Sequence, residues 1–99
     1  MLNLDAIMLQ TIEVTIFEQV VHVKQPSVIV WEKINAAEKD LNASNLMEKR
    51  AEVAKILLDN NEENKVFDLG EVKKLSRKAI ETFISAVTSA SLEAEKDPN

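Results

Sequence analysis

Two short runs near the N-terminus constrain this chain most. Across Thr11 to Ile16, the apolar Ile12, Val14 and Ile16 alternate with Glu13 and Thr15, which is the two-residue period of a strand buried on one face. A second run, Val20 to Lys24, comes almost at once. A turn at Glu18 and Gln19 sets Ile16 against Val21 and Val14 against Val23, so one register gathers the apolar residues of both strands on a common face. A four-residue loop, Phe17 to Val20, gives the same pairing. Neither turn contains the Asn-Gly or Asp-Gly that supplies positive φ angles in tight hairpins. Pro26 has no N–H to give to a ladder and closes the second strand. The spacing therefore predicts a β-hairpin over 11–25.

Beyond the hairpin the chain reads as helix. Met1 to Trp31 carries only Asp5, Glu13, Glu18 and Lys24 as charges, and all the others fall from Glu32 onward. Ser27 can cap a first helix over 27–41, with Val30, Ile34, Ala37 and Leu41 at helical spacing. Its opening, Val28 to Trp31, is β-branched and apolar all round, so a short strand competes with helix there. Asn45 and Glu48 resemble a capping box ahead of a second helix, Leu46 to about Asp59. Asn60 to Lys65 is wholly polar and reads as an exposed connection. Asp68 and Glu71 form another box-like pair opening a short helix through Leu75. Ser76 can cap a last helix whose Ile80, Phe83, Ile84, Val87, Ser91 and Ala94 share one face, with a stop at Asp97-Pro98-Asn99. The expected class is α+β, an N-terminal β-hairpin followed by three to four α-helices. Residues 11–99 form a single domain, with a helical body over 27–96 and the order of 1–10 left open.

Composition narrows the chemistry. At 99 residues, 45% apolar and 29% charged, the chain suits one soluble domain able to bury its own core. It has no cysteine, which excludes disulfides, thiolate zinc sites and cysteine nucleophiles. One histidine, His22, is read as an exposed strand residue with no second histidine to share a metal. Gly70 is the one glycine, too few for a phosphate-cradling loop. No nucleophile–base pair or ligand cluster stands out, so neither enzyme, cofactor nor metal is expected. No apolar run is long enough to span a bilayer, and no signal-like stretch opens the chain, which points to the cytoplasm.

Three features suggest a partner surface. Lys73, Lys74, Arg77 and Lys78 place four cations within six residues. Either the helix runs unbroken from Leu69, making them interior positions, or they meet an acidic partner, because cations are disfavoured in a helix's first turn. The net charge of −5 and the lack of aromatics among these basic residues argue against nucleic acid. Ser85 to Ser91 is a run of small residues that lets another helix approach, either within the body or from a partner or second copy. Trp31 and Phe67 border element junctions, where an aromatic either plugs the core or anchors a partner. The candidate partner-binding residues are Val28, Trp31, Lys73, Lys74, Arg77, Lys78, Phe83, Val87 and Ser91.

The order of these elements resembles a known family. A small acidic chain with the hairpin Thr11 to Ile16 and Val20 to Ser27, then helices, then a final helix closing on Glu95 to Asn99, is similar to the tail assembly chaperones of long-tailed bacteriophages. The resemblance implies a non-enzymatic protein of the host cytoplasm that binds the tape measure protein, helps recruit tail tube subunits, and is not part of the mature virion. It also admits a homo-oligomer. A rival reading is a small winged helix-turn-helix regulator, with Leu69 to Leu75 and Arg77 onward as the two helices and the hairpin as wing. A generic protein interaction module is the third.

Overall fold

The computed structural model describes residues 2–96. In chain order the elements are α1 (Leu4–Met8), β1 (Thr11–Ile16), β2 (Gln19–Lys24), α2 (Val28–Ala37), α3 (Leu46–Asp59), α4 (Leu69–Val72) and α5 (Arg77–Lys96). The chain is α+β, with the hairpin followed by four helices. Ahead of it stands one short turn of helix, α1, capped by the Asn3 side chain accepting from the Ala6 N–H. The expected stop at Asp97 to Asn99 lies outside the described residues.

The hairpin forms in a different register from the expected one. Ile16 faces Gln19, Val14 faces Val21 and Ile12 faces Val23. The turn is Phe17-Glu18, and both residues take positive φ, 50° and 64°. That is the backbone of the tightest hairpin turn, built here without glycine. A shift of two residues keeps every side chain on its face, so the apolar sets still coincide. Phe17 is held over the turn by the Phe67 ring, 6.3 Å away between centroids and tilted.

Ser27 does cap α2, its hydroxyl accepting from the Val30 N–H at 3.3 Å, and this settles Val28 to Trp31 as helix rather than strand. The helix stops at Ala37, short of the expected Leu41, because Asp40 enters the left-handed region (φ 61°) and the chain turns. Asn42 then accepts from the N–H groups of Ser44 and Asn45. Asn45 does not cap α3 as the capping box had suggested. Its amide donates back to the Asp40 carbonyl, and the first turn of α3 gets no side-chain cap.

α3 lies at the centre and packs against β2, α2, α4 and α5. Ala51, Val53, Ala54, Leu57 and Leu58 are its buried face, meeting Val21 and Val23 from β2, Ile34 from α2, Val72 from α4, and Ile80, Ile84 and Val87 from α5 in one core. Arg50 adds a polar tie. Its Nε donates to Glu81 at 2.8 Å and its Nη1 to Glu38 at 3.2 Å, linking α5 to the end of α2. The Glu81 carboxylate holds the guanidinium above its ordinary pKa, and the guanidinium holds that carboxylate below its own.

The last helix is not continuous from Leu69. Asp68 caps α4 by accepting from the Glu71 N–H, α4 ends at Val72, and the Ser76 hydroxyl starts α5 afresh by accepting from the Ala79 N–H at 3.1 Å. The unbroken-helix account of the four cations is therefore corrected. Arg77 and Lys78 do sit in a helix's first turn.

Candidate functional site

The two edges of the hairpin differ, and the register explains how. In a two-residue hairpin the pairs Ile16–Gln19, Val14–Val21 and Ile12–Val23 exchange the hydrogen bonds, so the backbone groups of the intervening residues point away from the partner strand. On β2 these outward residues are Val20, His22 and Lys24. On β1 they are Thr11, Glu13 and Thr15.

The outer edge of β2 is covered by the loop after α3. The Lys24 N–H donates to the Asn60 carbonyl, the Glu62 N–H donates to the His22 carbonyl, and Val23 bridges Asn61. The loop was expected to be an exposed connection, but Asn61 is 2% exposed. Its amide nitrogen donates to the carbonyls of Leu58 and Lys65, and its Oδ1 accepts from the Lys65 N–H. A buried polar group needs such partners, and an asparagine can satisfy three backbone groups at a chain reversal.

His22 is likewise more engaged than an exposed strand residue. Its backbone N–H donates to Glu63 Oε1 at 2.8 Å, its Nδ1 meets Glu63 Oε2 at 2.6 Å, and its Nε2 lies 3.9 Å from Glu13. The hydrogen bond to Glu63 raises the imidazole pKa above its usual value, and the two bonds from His22 lower that of Glu63. The ligand atoms of His22, Glu62 and Glu63 lie close enough for one cation. Glu63 is already bound twice by His22, however, so the cluster reads as a clamp holding the loop on β2.

On β1 no such cover exists among the described residues. Among the described residues, the outward N–H and C=O groups of Thr11, Glu13 and Thr15 have no protein partner. The inner face of β1 is also less buried: Val21 and Val23 of β2 are 0% and 1% exposed, whereas Ile12, Val14 and Ile16 are half-buried. The cause is width. Packed helices lie about 8–10 Å apart and paired strands about 4.8 Å, so two strands cannot roof two helices. The hairpin roofs α3, and α5 is left partly bare alongside β1. The result is an open groove of about 490 Å³ between them, walled by Ile12 and Val14 on one side and Ala79, Thr82, Phe83 and Ala86 on the other, with Lys78 at its border.

The sequence-derived candidates divide against this groove. Phe83 and Lys78 line it. Arg77, adjacent to Lys78, is exposed, and neither cation has an ion-pair partner within 4 Å among the described residues. Lys73 and Lys74 are engaged, with Glu48 at 3.5 Å and Glu71 at 3.1 Å. Val87 is 1% exposed in the core, so it is withdrawn from any partner-facing set. Ser91 lies in α5 but its side chain falls outside the described residues, as does that of Ala94. Trp31 packs against the core from α2, as Phe67 does from its loop, so both plug the interior. Val28 is 73% exposed beside the exposed Ile29, away from the groove. Sequence reasoning missed the edge of β1. A signal was present, because a chain with only two strand runs must leave strand edges to be managed.

Comparison with known protein families, curated proteins and solved structures finds no match to this chain. No helix among the described residues is long and apolar enough to cross a membrane.

Proposed function

We propose that this protein is a non-enzymatic binding protein that holds an unassembled partner, acting as a phage tail assembly chaperone with the tape measure protein as client and tail tube subunits as the proteins it helps recruit. The observation that carries the binding reading is the uncovered apolar wall of α5 beside the unpaired edge of β1, bordered by Lys78, which has no ion-pair partner within 4 Å among the described residues. The client class rests on the sequence resemblance. A holding protein needs exposed apolar surface within a chain whose net charge keeps it dispersed, and −5 on this length supplies the second. The regulator reading draws less support, because α4 has four residues and Lys73 and Lys74 are tied to neighbouring carboxylates.

Co-expression tests the client. The chain should keep a tape measure protein in the soluble fraction, and Phe83→Asp, which puts a charge on the groove wall, should abolish that effect. A client that precipitates equally with and without the chain rejects the reading.

A further inference from the structure

We infer that the occupant of the groove is an extended segment of a partner protein that adds to β1 as a third strand, with apolar side chains at alternate positions lying on α5 and a carboxylate at the end beside Lys78. This rests on the binding reading above and specifies how the partner is held.

Three observations converge on a strand. The first is hydrogen bonding: Thr11, Glu13 and Thr15 present a row of outward N–H and C=O groups without protein partners, and only an extended chain matches that spacing along its whole length. The second is width: one more strand beside β1 would stand over the bare face of α5, where its inward side chains meet Ala79, Phe83 and Ala86. Such a strand does on the β1 side what the Asn60 to Glu63 loop already does on β2. The third is charge: Lys78, which lines the groove together with Glu13, has no ion-pair partner within 4 Å among the described residues and lies where the helix dipole disfavours a cation. A partner carboxylate is therefore favoured beside it, whereas Arg77 acts on Glu81.

A helix laid in the groove would leave the edge groups of β1 unpaired. A second copy fits poorly as well. Antiparallel pairing of β1 with its own copy puts both helical layers on one side of the sheet, and the two α5 helices would then need the same space beneath the seam.

The test pans the full chain against a displayed library of random peptides of about ten residues, the length of a long strand. The leading peptide is then synthesised and titrated. Enriched sequences should alternate apolar and polar residues and carry an acidic end. Thr15→Pro removes an outward N–H that the hairpin does not use, so it should leave the fold intact and weaken binding about ten-fold or more. Lys78→Glu should weaken it as well. In the unmodified protein, peptide addition should slow amide exchange at Glu13 and Thr15, a readout that needs no variant to fold. Peptides with helical spacing, binding indifferent to Thr15→Pro, or unchanged exchange at Glu13 and Thr15 would overturn strand addition and leave the binding reading standing. A dimer of the chain that Thr15→Pro dissociates would also overturn it, in favour of a second copy. If no peptide is enriched at all, the binding reading fails with it.

Discussion

Along β2 the outward N–H groups of His22 and Lys24 are taken by Glu63 and Asn60, and the inward valines are fully buried. Along β1, a strand of the same six residues in length, the outward groups have no hydrogen-bond partner among the described residues and the inward side chains are half-buried. The two strands differ little in composition. What separates them is what the rest of the chain sets beside each, and on β2 that is a polar loop from forty residues away. A bare edge is therefore not a general property of a hairpin this small. This chain closes one edge with several specific hydrogen bonds and leaves the other open.

Perturbing the covered side should show how much that closure contributes. Phe67→Ala, which removes the ring that packs on Phe17 and anchors the loop in the core, should lower unfolding stability by about 3–5 kcal/mol in a denaturant melt. A loss under about 1 kcal/mol would mean that the loop is held without it. Asn61→Ala releases the buried Leu58 carbonyl and the part-buried N–H and carbonyl bonds to Lys65, and should cost about 1–3 kcal/mol, with faster amide exchange at Lys24 as its local sign. Unchanged exchange there would separate Asn61 from the cover of β2. At the turn joining the two strands, Glu18→Gly relieves a left-handed non-glycine residue and should stabilise by about 0.5–1 kcal/mol, seen as a higher melting temperature.

The clamp itself should respond to pH in a defined direction. The imidazole of His22 is raised above its ordinary 6.5, so its contribution is complete below that value and fades as pH rises through the raised one. Glu63 is lowered from its ordinary 4.5, so its contribution is complete above that value and fades as pH falls through the lowered one. The loop should be held best between these two ordinary values. Glu63→Gln should return the His22 titration, followed by NMR, toward 6.5; an unmoved titration would show that Glu63 is not the cause.

The elements most visible in the sequence were those set by periodicity. α3 forms over the span that Leu46, Ala51, Ala54, Leu57 and Leu58 mark, and the Ser27 and Ser76 hydroxyls start the helices they were expected to start. Strand faces were legible for the same reason, while the register was not, because nothing in Phe17-Glu18 announces a turn normally left to glycine and asparagine. Asn45 could satisfy either the helix or its own loop, and only the path taken at Asp40 decides. Asn61 was hidden in a run of six polar residues, where burial depends on a strand far back in the chain. Of the groove, Phe83 and Lys78 were visible as an aromatic and a cation on one helix. The opposing wall was not, since it depends on how wide two helices are beneath two strands.

The cover of β2 comes late in synthesis. His22 and its partner Glu63 are 41 residues apart. At typical translation speeds, roughly 2–8 s pass between the appearance of the one and of the other. During that interval the nascent hairpin has two bare edges instead of one, and the buried face that α3 will supply is itself incomplete. A chain paused before Asn60 to Glu63 has emerged from the ribosome is able to pair wrongly on both sides, whereas emergence of that loop leaves only the β1 side to be met.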